Sequence, residues 1–423
     1  MMAVRPLHAL LLPPAAGAGR LLGALAAALD GTGPAVLPLD PGLPRDRLGD
    51  LLHAFTPATV ETPEGTIRWR PDDSRPAAPG GGAGQELPEG TAVVIATSGS
   101  TGEPKGAQLT GGALLASARA SLRRIGAAPG ERWLCPLPTS HIAGLGILVR
   151  TLVAGTSVVV VDRLDPAQRD LGAFGCAYVS LVPAQLRRML DAGAGIGAFG
   201  AILLGGAAVP SGLLAGARAA GARVITTYGM SETCGGCVYD GVPLDGVSVR
   251  TGAGGRIQIR GPVVFSGYRN RPDLTGAAMD EDWFVTADLG TVSDGRLAVL
   301  GRADDVINTG GQKVAPAEVV AILEGCASVR EAAVFGEPDS QWGERVTAVV
   351  VPAKLSAPPK LEELRAAVRS RMPAYAAPRA LLIVPSMPLL PSGKPDLAAL
   401  RGLGRDNRSR GAGVGQPDSG ASG

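Results

Sequence analysis

The chain has 423 residues, 45% hydrophobic and 18% charged, enough for two or three domain-sized units and a large buried core. Its 40 basic and 38 acidic residues nearly cancel, leaving +2, so no strong field favours nucleic acid or a membrane surface. An aromatic content of 4% offers few stacking platforms for single strands, and five irregularly spaced cysteines fit a reducing, cytoplasmic compartment.

In chain order, Arg5 and the apolar run Leu7–Leu12 mimic a signal peptide, but Pro13 and Pro14 cut that run short, and a structured strand is expected instead. No run of eighteen apolar residues occurs anywhere, which argues against membrane insertion. Residues 1–90 read as an opening α/β region closed by a Pro/Gly-rich segment, 79–90. Ala92–Ala96 is a β-prone apolar run leading into T-S-G-S-T-G-E-P-K-G, Thr97 to Gly106. Small residues there let backbone N–H groups approach an anion; Thr97, Ser98, Ser100 and Thr101 add hydroxyls, Gly99 and Gly102 add freedom, and Lys105 adds charge. The pattern is a candidate phosphate cradle. It is not a Walker loop, since Pro104 precedes the lysine and Gly106 follows it, and a plain surface turn is the alternative local reading.

Apolar runs such as Thr156–Val161 and Ala201–Leu204 then alternate with helical patterns such as Pro183–Leu190, which implies mostly parallel, buried strands with crossover helices. Leu204-Gly205-Gly206-Ala207-Ala208 follows a strand, so either its backbone meets a flat ligand or it makes a tight turn. Tyr228–Thr233 reads Y-G-M-S-E-T, and the Cys234–Cys237 pair after it has no second pair or nearby histidine to complete a zinc site. Residues 256–300 turn to short alternating strands, Arg256–Arg260 among them, and contain T-A-D-L-G at Thr286–Gly290. Strand–helix–strand returns after Gly301, with helices expected at Pro316–Leu323 and Lys360–Arg371. G-R-A-D-D-V-I-N-T-G-G-Q-K-V spans Gly301–Val314 and P-S-G-K spans Pro391–Lys394; the Gly/Ser/Asp/Arg-rich residues 404–423 read as a disordered tail.

These five motifs, in this order, resemble those of the adenylate-forming superfamily of acyl-CoA synthetases, nonribosomal adenylation domains and luciferases, over residues 91–400. The resemblance implies an α/β fold: a large N-terminal domain of mostly parallel sheets with a small β-rich subdomain, residues 1–301, a hinge at 302–304, and a small α+β lid at 305–403. Against that family pattern the N-terminal end is short by roughly one domain-sized block. The implied chemistry has two halves. A carboxylate attacks the α-phosphorus of ATP to give an acyl-adenylate and pyrophosphate, and the CoA thiol then displaces AMP; the protein aligns anions and stabilises developing charge.

Carried over residue by residue, the Thr97–Gly106 loop holds the β- and γ-phosphates, and Tyr228 with Gly229 stacks on adenine, which Gly205, Gly206 and Ala207 also approach. Thr233 bonds the α-phosphate. Glu232 holds Mg2+, although an acid beside a helix start is the alternative reading. Asp288 accepts both ribose hydroxyls, with Ala287 where the family has glycine, and Arg302 contacts the same ribose. Lys394 bridges carboxylate and α-phosphate during adenylation, then leaves as the lid turns about Asp304, and Gly310, Gly311 and Gln312 face the CoA tunnel.

Of three histidines, His141 lies in L-P-T-S-H-I-A-G-L, which resembles the gate motif beside the acyl carboxylate. The short N-terminal region, S-L-V-P-A-Q-L at Ser180–Leu186 and the Tyr228–Cys237 segment together resemble o-succinylbenzoate–CoA ligases of menaquinone biosynthesis. That substrate carries a second carboxylate. Ser180 is a candidate donor to it, or else a helix N-cap, and Met230 is expected to line the acid site; no arginine stands out in the sequence as its partner. Another aryl or acyl acid is the alternative substrate, and a non-catalytic nucleotide-binding regulator is the alternative of a different class. Expected partners are a small carboxylic acid, ATP and CoA, with a homodimer left open and no nucleic acid.

Overall fold

A computed structural model describes residues 4–70, 87–98, 103–389 and 395–403. Contacts divide these into two compact units that meet in sequence between Val299 and Leu300.

In the first unit, four-residue runs with no polar face become strands buried on both sides, as expected where helices cover both faces of a parallel sheet. Ala35–Pro38, Tyr178–Leu181 and Ala201–Leu204 are buried at every position. One seven-stranded sheet has the order Gly267–Tyr268, Pro104–Thr110, Thr91–Ser98, Ala35–Pro38, Leu7–Leu10, Thr59–Thr62, Gly65–Arg68. Its middle is parallel and its two ends are antiparallel. The expected N-terminal strand is thus Leu7–Leu10, near the centre of the sheet that carries the phosphate motif.

A second seven-stranded sheet runs Val158–Val160, Trp133–Cys135, Tyr178–Leu181, Ala201–Leu204, Val224–Met230, Gly235–Tyr239, Val242–Pro243, parallel over its first five strands. Helices Gly111–Ile125 and Ile142–Ala154 lie between the two sheets. Leu114, Leu145 and Leu148 join Val93, Ile95 and Leu109 in one core, while Ile125 and Ile147 join Trp133, Cys135 and Leu203 in the other. A third, antiparallel sheet of Ser248–Thr251, Arg256–Arg260, Trp283–Ser293, Met279–Asp280 and Arg296–Arg302 is the expected β-rich subdomain.

The second unit has one five-stranded sheet, its long hairpin Val329–Asp339 and Gly343–Pro352 flanked by Ile307–Thr309 and Ala380–Ile383. Helices Pro316–Glu324 and Leu361–Arg369 bury Val319, Leu323, Leu364 and Val368 against it. Among the described residues, no helix is long and apolar enough to cross a membrane. Lys394, the 99–102 stretch and the expected tail lie outside the described residues.

Candidate active site

The phosphate motif differs from the expected loop. Thr91–Ser98 and Pro104–Thr110 form an antiparallel hairpin that pairs Thr97 with Lys105 and Ser98 with Pro104. Strand pairing won because Thr97 and Lys105 continue the ladder, and the Thr97 hydroxyl donates to the Lys105 carbonyl at 3.3 Å. The hairpin therefore holds Lys105 on a strand rather than on a free loop.

Beside it, Tyr268 connects two groups. Its ring lies 5.8 Å from the Lys105 ammonium, and its hydroxyl donates to Glu232 Oε1 at 2.8 Å. Burial and the Glu232 charge push the phenol far above its ordinary pKa, so it remains a donor. The backbone carbonyl of Glu232 accepts from Phe265 N at 2.8 Å. Glu232 thus has a built environment, and it also lies in the first turn of the short helix Ser231–Thr233, where the alternative reading put it. Among the described residues, no group of three or more His, Cys, Asp or Glu side chains could hold a metal. A lone half-buried carboxylate suits Mg2+, which takes one or two protein carboxylates and fills its shell with phosphate and water oxygens.

The strand Val224–Met230 ends in a short turn, Ser231–Thr233, before the chain reverses into Gly235–Tyr239. Gly229 is required there: a Cβ would lie 2.0 Å from the Gly235 carbonyl oxygen. Tyr228 donates its hydroxyl to Asp288 Oδ2 at 2.9 Å, bringing together two expected nucleotide residues from different sheets. Thr233 requires a correction. It is 0% exposed, and its hydroxyl accepts from Met230 N at 2.9 Å and donates to the carbonyls of Met230 and Gly235 at 3.1 and 2.8 Å. With that oxygen committed inside the turn, no donor is left for a phosphate. Half-buried Ser231, two residues earlier, is the accessible hydroxyl of the motif. Met230 is half-buried and packs against the first core. Cys234 and Cys237 are buried thiols, and burial pushes Cys237 up to about 12.

Gly205 and Gly206 answer first to packing. A Cβ on Gly205 would stand 2.3 Å from Thr227 Oγ1, and Gly206 has φ +86°, so the tight-turn reading accounts for both without a ligand. Ala207 follows, half-buried.

Beyond the C-terminal end of the parallel strand Trp133–Cys135 in the same sheet, His141 occupies the N-cap position of Ile142–Ala154. Gly144 lets that helix approach the preceding loop, since a Cβ would meet the Pro138 oxygen at 2.3 Å. His141 reaches solvent at one side, yet the protein around it holds its imidazole below the usual pKa, opposed by Asp40.

Two turns along the same helix is the residue that the sequence did not single out. Arg150 lays its guanidinium 4.5 Å from the Trp133 ring centroid and donates from Nη2 to Ser180 Oγ at 3.3 Å. Its Nε is buried without a hydrogen-bond partner, and burial lowers its pKa, opposed by Tyr239 and Cys135. No carboxylate pairs with it among the described residues. Ser180 lies within a buried strand and Val182 is the residue that precedes the following helix, so the N-cap alternative for Ser180 fails. A signal was available: Arg150 is the only charged residue in I-A-G-L-G-I-L-V-R-T-L-V-A, a helix that is apolar apart from it and Thr151.

Within the second unit, Arg302 Nη2 lies 3.5 Å from Asp304 Oδ2, both exposed. Gly310 and Gly311, at φ +59° and +77°, close the hairpin that pairs Thr309 with Gln312. Gly310 N donates to the Trp342 carbonyl at 2.8 Å, and a Cβ on Gly310 would lie 3.0 Å from the Trp342 ring. Arg379 stacks 3.7 Å from that ring's centroid. Gln312 is exposed on the strand after the turn.

Residues 23–249 match the AMP-binding enzyme family and residues 318–394 its C-terminal domain. A probable 2-succinylbenzoate–CoA ligase of Mycobacterium tuberculosis is 46% identical over 331 residues, covering 75% of this chain and 85% of that protein. The o-succinylbenzoate CoA synthetase of Bacillus subtilis, solved with its acyl-adenylate intermediate, superposes with a TM-score of 0.77 at 27% identity, covering 94% of this chain and 88% of that one. The same enzyme solved with ATP and magnesium gives 0.76 at 27% identity, with 94% and 89% covered.

Proposed function

The chain belongs to the AMP-binding enzyme family, and we propose that within it the chain is an acid–CoA ligase acting on 2-succinylbenzoate. The observation that carries the substrate is Arg150. Arg150 is half-buried, with its Nε sealed from solvent without a partner and its Nη2 on the Ser180 hydroxyl, so an incoming anion would complete it. A keto diacid supplies one: its distal carboxylate pairs with Arg150 and Ser180, while the other carboxylate reacts near His141.

In the first half-reaction a carboxylate oxygen bonds to the α-phosphorus of ATP and the bond to pyrophosphate breaks. In the second, the CoA sulfur bonds to the acyl carbon and AMP departs. The Thr97–Lys105 hairpin and Ser231 hold phosphates, and Tyr228 and Asp288 hold the nucleoside. Glu232 would hold Mg2+, which neutralises phosphate charge when bound. By sequence pattern Lys394 is assigned to adenylation and Arg302 to the ribose. The Gly310–Gly311–Gln312 turn, with Trp342 and Arg379 behind it, offers CoA small residues, a flat ring and a cation.

The test is AMP release with ATP, Mg2+ and CoA across a panel of carboxylic acids. We expect 2-succinylbenzoate to exceed benzoate and 4-phenyl-4-oxobutanoate, the analogue that keeps the succinyl arm but lacks the ring carboxylate. Equal efficiency with that analogue would contradict the assigned substrate and leave the adenylate chemistry standing.

A further inference from the structure

With Glu232 read as the metal ligand, much depends on how its carboxylate is held. Glu232 Oε1 accepts from the Tyr268 hydroxyl at 2.8 Å, and among the described residues Oε2 accepts from none. Tyr268 is itself fixed from several sides. Its N–H donates to Thr275 Oγ1 at 2.8 Å, and Gly267–Tyr268 pairs with Gln108 and Ala107, close behind Lys105 on the same strand. Phe265 packs edge-on against its ring at 4.8 Å and anchors the Glu232 carbonyl through its own N–H at 2.8 Å. The Lys105 ammonium stands 5.8 Å from the ring centroid, within cation–π range. One side chain therefore touches the metal carboxylate through its hydroxyl and the hairpin lysine through its ring.

We propose that Tyr268 is a positioning residue of the adenylation step, tying down one oxygen of Glu232 so that the other is presented to Mg2+ and holding the Lys105 side chain beside it. This rests on the reading of Glu232 as the metal ligand. A neutral donor suits the role: it orients the carboxylate without cancelling the charge that attracts the metal. Its effect belongs to the first half-reaction, because displacement of AMP by the thiol involves neither pyrophosphate nor its metal.

The experiment compares Tyr268→Phe, Glu232→Gln and the unaltered full chain. Mn2+ binding in the presence of a non-hydrolysable ATP analogue is read by electron paramagnetic resonance, alongside the Mg2+ dependence of adenylation and thermal melting. Tyr268→Phe should weaken metal binding on the order of tenfold, the usual cost of losing a residue that orients a ligand. The KM for the acid and thioester formation from supplied acyl-AMP should stay unchanged. A lowered melting temperature with unaltered metal affinity would make the hydroxyl merely structural and overturn the proposal, as would equal losses in both half-reactions. Intact Mn2+ binding in Glu232→Gln would instead remove the underlying metal reading. Loss in Glu232→Gln with none in Tyr268→Phe would overturn the Tyr268 role alone.

Discussion

Ser231 and Thr233 stand two residues apart and carry the same chemical group, but the fold gives them different work. Thr233 is sealed in the turn, its oxygen satisfying one N–H and facing two carbonyls. Replacing it by valine leaves those groups unpaired and should cost about 1–3 kcal/mol of stability, read as a fall in urea midpoint. Replacing Ser231 by alanine should leave the midpoint nearly unchanged and raise the KM for ATP. The opposite pattern would return the phosphate contact to Thr233. His141 makes a second residue-scale claim. Its imidazole is held below the ordinary 6.5 chiefly by burial, so the folded protein binds its proton less readily than the unfolded chain. Its NMR titration midpoint should lie below 6.5, and its contribution to stability should be fully present at neutral pH and decline as pH falls through 6.5. A midpoint above 6.5 would mean that Asp40 dominates. The sequence made Tyr228, Asp288, Glu232 and His141 legible because motif spacing marks them. It did not mark Arg150 or Tyr268, whose roles depend on which strands become neighbours: Arg150 meets Ser180 thirty positions away, and Tyr268 meets Glu232 thirty-six away.

Elements were more legible than contacts. Pro183–Asp191 is the helix read from the sequence and Arg256–Arg260 the strand, although Gln258 is buried with Ile257 and Ile259 instead of alternating with them, and the parallel core follows from apolar runs. The phosphate motif misled because glycine and serine signal a loop, whereas the flanking Thr97 and Lys105 had a ladder to complete. The turn Ala303–Asp305, next to the boundary between the two compact units, is the element that an account with two half-reactions leans on. Proline at 304 fixes φ and restricts Ala303, so Asp304→Pro should retain single-turnover adenylation while CoA transfer collapses. Lys394→Ala should do the reverse, abolishing adenylation while sparing thioester formation from supplied acyl-AMP. Rapid-quench assays of each half-reaction separate the two. Equal losses in both variants would leave neither residue with a step of its own.

At the scale of the whole molecule, the proposed substrate choice leans on one region of the first unit. Two seven-stranded sheets enclose an apolar helix, and that helix carries a guanidinium with no internal counter-charge among the described residues. The contact with Trp133 offsets only part of the cost of burial. On the proposed function the group is kept for the substrate, so its removal should separate folding from substrate choice. Composition shows room for a large core, but nothing in it points to a half-buried guanidinium set beside Ser180. The most direct measurement is kcat/KM for 2-succinylbenzoate and for 4-phenyl-4-oxobutanoate, in the unaltered chain and in Arg150→Met, with melting temperatures alongside. We expect the unaltered chain to prefer the diacid by about a hundredfold or more, since the shorter acid leaves buried donors unpaired. In Arg150→Met that preference should collapse toward unity while the melting temperature holds or rises. A variant that still prefers the diacid a hundredfold, or an unaltered chain that prefers neither acid, would contradict the account.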